Sequence, residues 1–249
     1  MKAYKFTPEK AAEACIEWIR DWFEKNGKGC PAVLGISGGK DSSVAAALCV
    51  RALGKENVIG VLMPRGEQFD IDFSHGICEF LGIRSFTVNI GECTDALTRE
   101  IEKSVDFTDA AKINLPPRIR MSTVYAVCQC FGGRVVNTCN ASEDYVGYST
   151  RYGDSVGDFS PMSCFTVQEV KAIGRYLGIP EKYIEKPPID GLSGSTDEDR
   201  LGFTYAELDA YIREGIEPST PEIKAKIDRL HVMNLFKLSY MPCFQYTEE

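Results

Sequence analysis

Within seven residues, Ser37-Gly38-Gly39-Lys40-Asp41-Ser42-Ser43 combines two glycines, three hydroxyls, a lysine and a carboxylate. Glycines let a backbone approach a ligand and aim its amide hydrogens at it, while serines add side-chain donors. That is the chemistry of an anion cradle, suited to the phosphates of a nucleotide. The common phosphate loop, G-x-x-x-x-G-K-[ST], does not fit, because Asp41 follows Lys40 where a serine or threonine is required. A carboxylate among phosphates is repulsive unless a cation stands between them. Magnesium, which takes one or two carboxylates together with phosphate oxygens, is the natural bridge. The plainer role for Asp41 is a helix cap, and the Ser-Gly-Gly directly before it favours the bridge.

The surrounding elements must hold this loop open to a ligand. Residues 32–37 form an apolar run of strand length, and a helix is expected from Ser42 to Leu53, ending at Gly54. Further strands are expected over 58–64, 85–90 and 134–140, with helix-length segments between them. This alternation predicts βαβ units and an α/β fold: a doubly wound, mainly parallel sheet flanked by helices. Ligands of such sheets bind beyond the carboxyl ends of the strands, where Gly35 to Ser42 would lie.

Ala11, Ala14, Cys15, Trp18, Ile19 and Trp22 recur at helical spacing and predict an amphipathic helix over 8–25. Residues 105–117 are polar, lack a period and end in two prolines, so they read as a mobile excursion before a helix starting at Pro116-Pro117. Residues 149–163, rich in Gly, Ser and Asp, read as a long loop, and 180–202 as another irregular section. Helices near 166–177, 204–214 and 219–235 complete one domain spanning 1–249, with helical additions at both ends.

The bulk properties narrow the function. A net charge of −8 argues against broad nucleic-acid binding, which needs a basic face. Ten cysteines are scattered without a C-x-x-C pair, and His75 and His231 are far apart, so small buried thiols are favoured over a zinc or iron–sulfur site. The N-terminus lacks the continuous apolar core of a signal peptide or membrane span, and a reducing cytoplasm is the expected address.

Ser-Gly-Gly-x-Asp-Ser after an apolar strand resembles the loop of the N-type ATP pyrophosphatases, which cut ATP to AMP and pyrophosphate while adenylating an acceptor. Three further blocks resemble the NAD synthetase family in particular: "NLPPRIRM" (114–121), "NTCNASEDYVGYSTRYGDSVGDFSP" (137–161) and "PPIDGLSGSTDEDRLGFTYAELDAYI" (187–212). The matches run in family order from about residue 33 to 240. The resemblance implies an adenine nucleotide alpha hydrolase-like fold. It also implies the ammonia-using type, since no glutaminase segment precedes the synthetase part.

Carried over by position, the resemblance implies that Gly35, Ile36, Ser37, Gly38, Gly39, Lys40, Asp41, Ser42 and Thr138 hold ATP. Asp41 and Glu143 would be the magnesium ligands. Arg118, Arg151, Asp158 and Lys237 would contact deamido-NAD, whose pyrophosphate and carboxylate suit the planar arginine fork. Lys40 occupies the variable position of the loop motif, so solvent or a surface contact is its expected fate. Arg120, two residues from Arg118, points to another face and is expected to form a structural salt bridge. For Glu143 the bland role is an acidic residue in a first helical turn, for Asp154 and Asp158 turn formation, and for Asp197 and Glu198 a cap and surface charge.

Two positions depart from the family pattern. Val167 stands where many relatives carry a lysine for ATP phosphate, so either another cation substitutes or the charge is not essential. Phe236 replaces the histidine of a His-Lys pair, while Lys237 persists; His231 receives no role.

The implied reaction needs no protein nucleophile. The nicotinic acid carboxylate of deamido-NAD attacks the α-phosphorus of ATP, and ammonia then displaces AMP from the acyl adenylate. The loops 105–117 and 149–163 are expected to close over that intermediate and keep water out. A homodimer is also implied. The rival readings are another adenylating enzyme of the superfamily and a non-catalytic adenine-nucleotide sensor.

Overall fold

The computed structural model describes residues 4–186, 196–239 and 241–245. The chain begins with α1 (Pro8–Asn26), then β1 (Ala32–Gly35), α2 (Lys40–Leu53), β2 (Val58–Leu62), α3 (Ile71–Leu81), β3 (Arg84–Thr87) and α4 (Gly91–Glu102). It continues through α5 (Asp109–Cys130), β4 (Arg134–Val135), α6 (Ala141–Val146) and α7 (Val167–Tyr176). The short α8 (Glu181–Ile184) and α9 (Asp197–Leu201), then α10 (Tyr205–Glu214) and α11 (Pro221–Asn234), lead into a 3-10 turn, Leu235–Lys237.

The four strands are all parallel and lie in the order β3-β2-β1-β4. The chain therefore winds outward from β1 to β3 and then crosses back to β4 on the other side of β1. The crevice where that order reverses, between the carboxyl ends of β1 and β4, is the expected ligand position.

Strand alternation sends successive side chains of β1 into different layers. Ala32 and Leu34 enter a core formed with α1, α2, α3 and α7, through residues such as Ile16, Ile19, Leu48, Ile77 and Ile173. Val33 enters the opposite core, with Ile59, Val61 and Val135 packed against Val124 and Cys128 of α5. A third cluster, Val146, Val167, Leu201, Phe203, Tyr205, Leu208 and Ile227, joins α6 and α7 to the C-terminal helices. Five cysteines (Cys15, Cys49, Cys78, Cys128 and Cys139) are buried, and all ten are unpaired thiols. Among the described residues no helix is long and apolar enough to cross a membrane.

Three expected segments differ from the structure, the first being 180–202, whose described residues hold the short helices α8 and α9. Residues 109–117 are not an excursion: α5 runs from Asp109 straight through Pro116 and Pro117. The Thr108 side chain accepts from the Ala111 amide at 3.3 Å to cap it, and proline's fixed φ is compatible with a helix at the cost of two backbone donors. The period is missing because this half of the helix buries little, with Lys112, Ile113 and Arg118 exposed. The loop 149–163 lacks regular structure as expected, yet it is built into the sheet edge rather than free to close. Val136 bridges Phe159, and the Asn137 side-chain amide donates to the Asp154 and Val156 carbonyls at 2.9 and 3.2 Å. These bonds also explain why β4 stops at Val135 instead of reaching residue 140.

Candidate active site

The glycine loop turns sharply where β1 ends. Gly38 has a φ of 73°, and a Cβ there would lie 2.6 Å from the Phe73 carbonyl carbon in α3, so the position requires glycine. The loop is stiffened by its own hydroxyls: the Ser37 amide donates to Ser42 Oγ at 3.2 Å, and the Gly39 amide to Ser37 Oγ at 3.3 Å. Ser42 and Ser43 both donate back to the Gly39 carbonyl, at 3.3 and 2.7 Å. The amide end of α2 thus faces the crevice, and a helix N-terminus attracts anions.

Lys40 overturns its sequence expectation. It is 6 % exposed, not on the surface, with Nζ donating to Asp41 Oδ2 at 2.8 Å and lying 5.7 Å from the centre of the Tyr205 ring. Burial alone would lower its ammonium, but Asp41, Glu143 and Asp197 outweigh that and hold it above the ordinary lysine range. The small-residue helix packs too tightly against its neighbours to let the side chain out: Val44 through Leu48 are all buried.

Glu143 reaches the same place from α6. Asn140 caps that helix, its side-chain oxygen accepting from the Ser142 and Glu143 amides at 3.1 and 3.0 Å, while Glu143 accepts from the Asn140 amide at 3.4 Å to complete a capping box. The other end of the Asn140 amide donates to Asp41 Oδ1 at 3.0 Å. One side chain therefore ties the acid of the first strand's loop to the helix that carries the second acid. Burial and then the Asp41 charge push the Glu143 carboxyl well above the usual range, against the pull of Lys40. Asp197, assigned only a cap, also belongs here: burial raises its carboxyl, and it interacts with Lys40 and Asp41. Glu198 accepts from the Tyr205 amide at 2.8 Å and serves as a cap for α10. Thr138 lies just beyond β4, half-buried, beside this group in sequence.

The donor set fits magnesium. Among the described residues no three His, Cys, Asp or Glu side chains converge as a closed metal site. Two mutually repelling carboxylates joined through Asn140 leave the remaining positions to phosphate and water, which is how this hard, strongly hydrated ion prefers to be held.

A second group lies on α5, the 147–152 turn and the C-terminal 3-10 turn. Arg118 Nε donates to the Arg151 carbonyl at 3.2 Å. The Arg151 guanidinium lies 5.1 Å from both the Tyr152 and the Phe236 ring centres, so Phe236 offers a ring to the cation where the family pattern carries a histidine. Lys237 Nζ donates to the Gly147 and Ser149 carbonyls at 2.7 and 3.0 Å. Burial lowers its ammonium, with Asp154 opposing. Gly147 (φ 67°) has no room for a Cβ against Asn234, whose amide donates to the Val146 carbonyl at 3.2 Å, fixing α11 on α6. Arg118, Arg151 and Lys237 thus come together.

Asp158 does not join them. Its Oδ2 accepts from the Val135 amide at 2.7 Å and its Oδ1 from the Tyr125 hydroxyl at 3.4 Å, so it completes the sheet edge. Among the described residues Arg120 forms no salt bridge: half-buried, it donates to the Met63 carbonyl at 3.1 Å, and burial together with Arg65 lowers its guanidinium. His231 stacks on Tyr145 at 3.9 Å and bonds to the Tyr145 carbonyl at 2.9 Å, a packing role. The part of the third sequence block over 187–195 lies outside the described residues.

A parallel sheet that reverses its winding between β1 and β4, with a glycine loop and paired acids at the reversal, defines an adenine nucleotide alpha hydrolase-like protein. The NAD synthase model matches residues 11–244, and the chain belongs to that family. It is 36 % identical over 240 residues to an NH(3)-dependent NAD(+) synthetase of Finegoldia magna, covering 95 % of this chain and 96 % of that one. Among solved structures it resembles an NMN synthetase from Francisella tularensis (TM-score 0.88, 28 % identity, 97 % of this chain and 100 % of that one). It also resembles an NH3-dependent NAD synthetase from Campylobacter jejuni (TM-score 0.77, 28 % identity, 97 % and 100 %).

Proposed function

We propose that this chain is a ligase that amidates deamido-NAD with ammonia at the expense of ATP, releasing NAD, AMP and pyrophosphate. The observation that carries this reading is the Asn140-tied pair, Asp41 and Glu143, beside the glycine loop at the sheet's reversal point. The family membership and the ammonia-dependent relative of nearly equal length support the acceptor and the nitrogen source.

ATP lies with its phosphates on the loop from Gly35 to Ser42 and its nucleoside toward Thr138. Asp41 and Glu143 would hold magnesium, which would supply charge neutralisation to the polyphosphate. Arg118, Arg151 and Lys237 hold the acceptor so that a carboxylate oxygen meets the α-phosphorus in line. The P–O bond to pyrophosphate breaks as the acyl–phosphate bond forms. Ammonia then adds to the acyl carbon, a proton leaves, and AMP departs with the former bonding pair. The protein positions and neutralises; none of its side chains enters a covalent bond. Asp158 contributes by fixing the loop that carries Arg151. Two copies of the chain are expected to associate, which sedimentation at micromolar concentration tests.

A second reading is favoured by the 0.88 TM-score to an NMN synthetase: the acceptor is then the mononucleotide acid, and the chemistry at its carboxylate is the same. One experiment separates them. Purified protein with ATP, magnesium and ammonium is given either deamido-NAD or nicotinate mononucleotide, and AMP, pyrophosphate and amide product are measured. Turnover at least about tenfold more efficient with deamido-NAD supports the first reading. The reverse preference installs the second, and ATP binding without turnover on either acceptor removes both. Replacing ammonium with glutamine is expected to abolish product.

A further inference from the structure

A cavity of about 180 Å³ opens beside the glycine loop, and Lys40, Val167, Lys171, Lys186, Glu198 and Tyr205 are among its lining residues. One of its lining residues, Tyr205, carries a polar atom that the fold covers and leaves over. Tyr205 is 3 % exposed, and its hydroxyl finds no hydrogen-bond partner among the described residues. Such groups are rare in folded proteins because a desolvated donor is costly. Looseness does not explain it: the Tyr205 amide is held by Glu198 at 2.8 Å, and its ring lies under Lys40. A phenol at neutral pH is a donor, and an unpaired donor on a residue that lines a cavity next to a phosphate loop suits an acceptor-rich ligand.

The charges in that wall are not equivalent. Lys40 is committed to Asp41 at 2.8 Å, and Lys171 to Glu185 at 2.6 Å. Val167 contributes none. Lys186 donates to the Ser37 carbonyl within the loop at 3.0 Å and to Asp70 Oδ2 at 2.7 Å, with its ammonium 4.9 Å from the Phe73 ring centre. It is thus a cation already seated against the loop, with Asp70 as its carboxylate partner. Asp41, Glu143 and Asp197 crowd Lys40, while Lys171 and Lys186 give the cavity wall two cations outside that group of acids.

We propose that Lys186 and Tyr205, with Lys40, form the subsite that receives the β- and γ-phosphates of ATP and holds them as pyrophosphate leaves. Lys186 neutralises the polyphosphate in place of a cation at position 167. Tyr205 donates to an oxygen whose charge rises as the α–β bridging bond breaks, and it transfers no proton. The proposal rests on the reading of ATP as substrate.

The test is steady-state kinetics with magnesium, together with product inhibition by pyrophosphate, on the full chain. Tyr205→Phe and Lys186→Met are each expected to weaken pyrophosphate inhibition and lower kcat/KM for ATP by roughly tenfold or more, the scale of a lost hydrogen bond to a charged group. KM for the acceptor stays unchanged, and Lys186→Arg recovers most of the loss. Asp70→Asn, which leaves Lys186 its loop contact without the ion pair, is expected to retain ATP efficiency. If both Tyr205→Phe and Lys186→Met leave inhibition within about twofold of the parent, the subsite does not exist. If Asp70→Asn reproduces the Lys186→Met defect, Lys186 is a structural ion pair and the proposal fails. A parent protein that neither turns over ATP nor is inhibited by pyrophosphate removes the ATP reading as well; an active parent with unaffected variants removes the subsite alone.

Discussion

The acid group around Asp41 and the cationic group around Arg151 do opposite things with charge. In the first, charges face charges: Lys40 meets Asp41 at 2.8 Å inside the fold, and Glu143 and Asp197 crowd the same space. In the second, cations lean on neutral groups: Arg118 and Lys237 on backbone carbonyls, and Arg151 between two aromatic rings. A half-buried, mutually strained charge group is poised for a cation and phosphates that relieve it, whereas carbonyl-held cations keep their net charge available to an anionic acceptor. The difference supports the proposed placing of ATP on one side and the acceptor on the other.

The largest expected effect breaks the first group. Asp41→Asn or Glu143→Gln is expected to lower acceptor-dependent AMP formation by about 10³-fold or more, since both metal charge and phosphate positioning go. Thermal stability is expected to hold or rise with Glu143→Gln, which removes a like-charge repulsion, and to fall with Asp41→Asn, which leaves the buried Lys40 ammonium without its carboxylate; a calorimetric scan of the same samples reports it. Arg151→Ala or Lys237→Ala breaks the second group, and KM for the acceptor is expected to rise by about ten- to a hundredfold while KM for ATP changes little. Equal effects on both substrates would dissolve the comparison. Gly38→Ala strains a φ of 73° against the Phe73 backbone and is expected to cost about 1–3 kcal/mol in denaturant melts, with ATP binding impaired in parallel.

Smaller effects sharpen the boundary between the groups. Asp158→Ala leaves the Val135 amide without its partner, costing about 1–3 kcal/mol of stability by urea titration. Acceptor KM is expected to move less than with Arg151→Ala. Phe236→Ala removes one face of the Arg151 stack, worth about 0.5–1 kcal/mol at an exposed site, or a few-fold in acceptor KM.

The sheet and the loop were legible because their signals are local. Apolar runs, glycine punctuation and the Ser-Gly-Gly-x-Asp-Ser order report directly on a strand, a turn and a helix start. Asp41 and Glu143 could be paired across 101 intervening positions only because both sit just past strand ends and the family pattern matched. Lys40 was misjudged because its burial depends on Tyr205 and Glu143, brought in from distant elements. Asn140 carries a signal that was available, an N-cap three residues before a glutamate, but nothing local shows that its amide reaches Asp41. Asp158 looked like a ligand residue because its type and setting are the same whether it binds substrate or a strand edge. The prolines in α5 pointed to a break that the cap at Thr108 and their own fixed φ made unnecessary.

Asn140 constrains how this protein can change over generations. Aspartate would cap α6 as well but bring another negative charge against Asp41 and Glu143. Serine or threonine would cap it and leave Asp41 without its amide donor, and glutamine would extend the amide but give up the cap. Every single replacement therefore damages the helix, the acid pair or both. A lineage that loses this asparagine has no neutral path through that position, so drift at 140 must be preceded by a compensating change at 41 or 143.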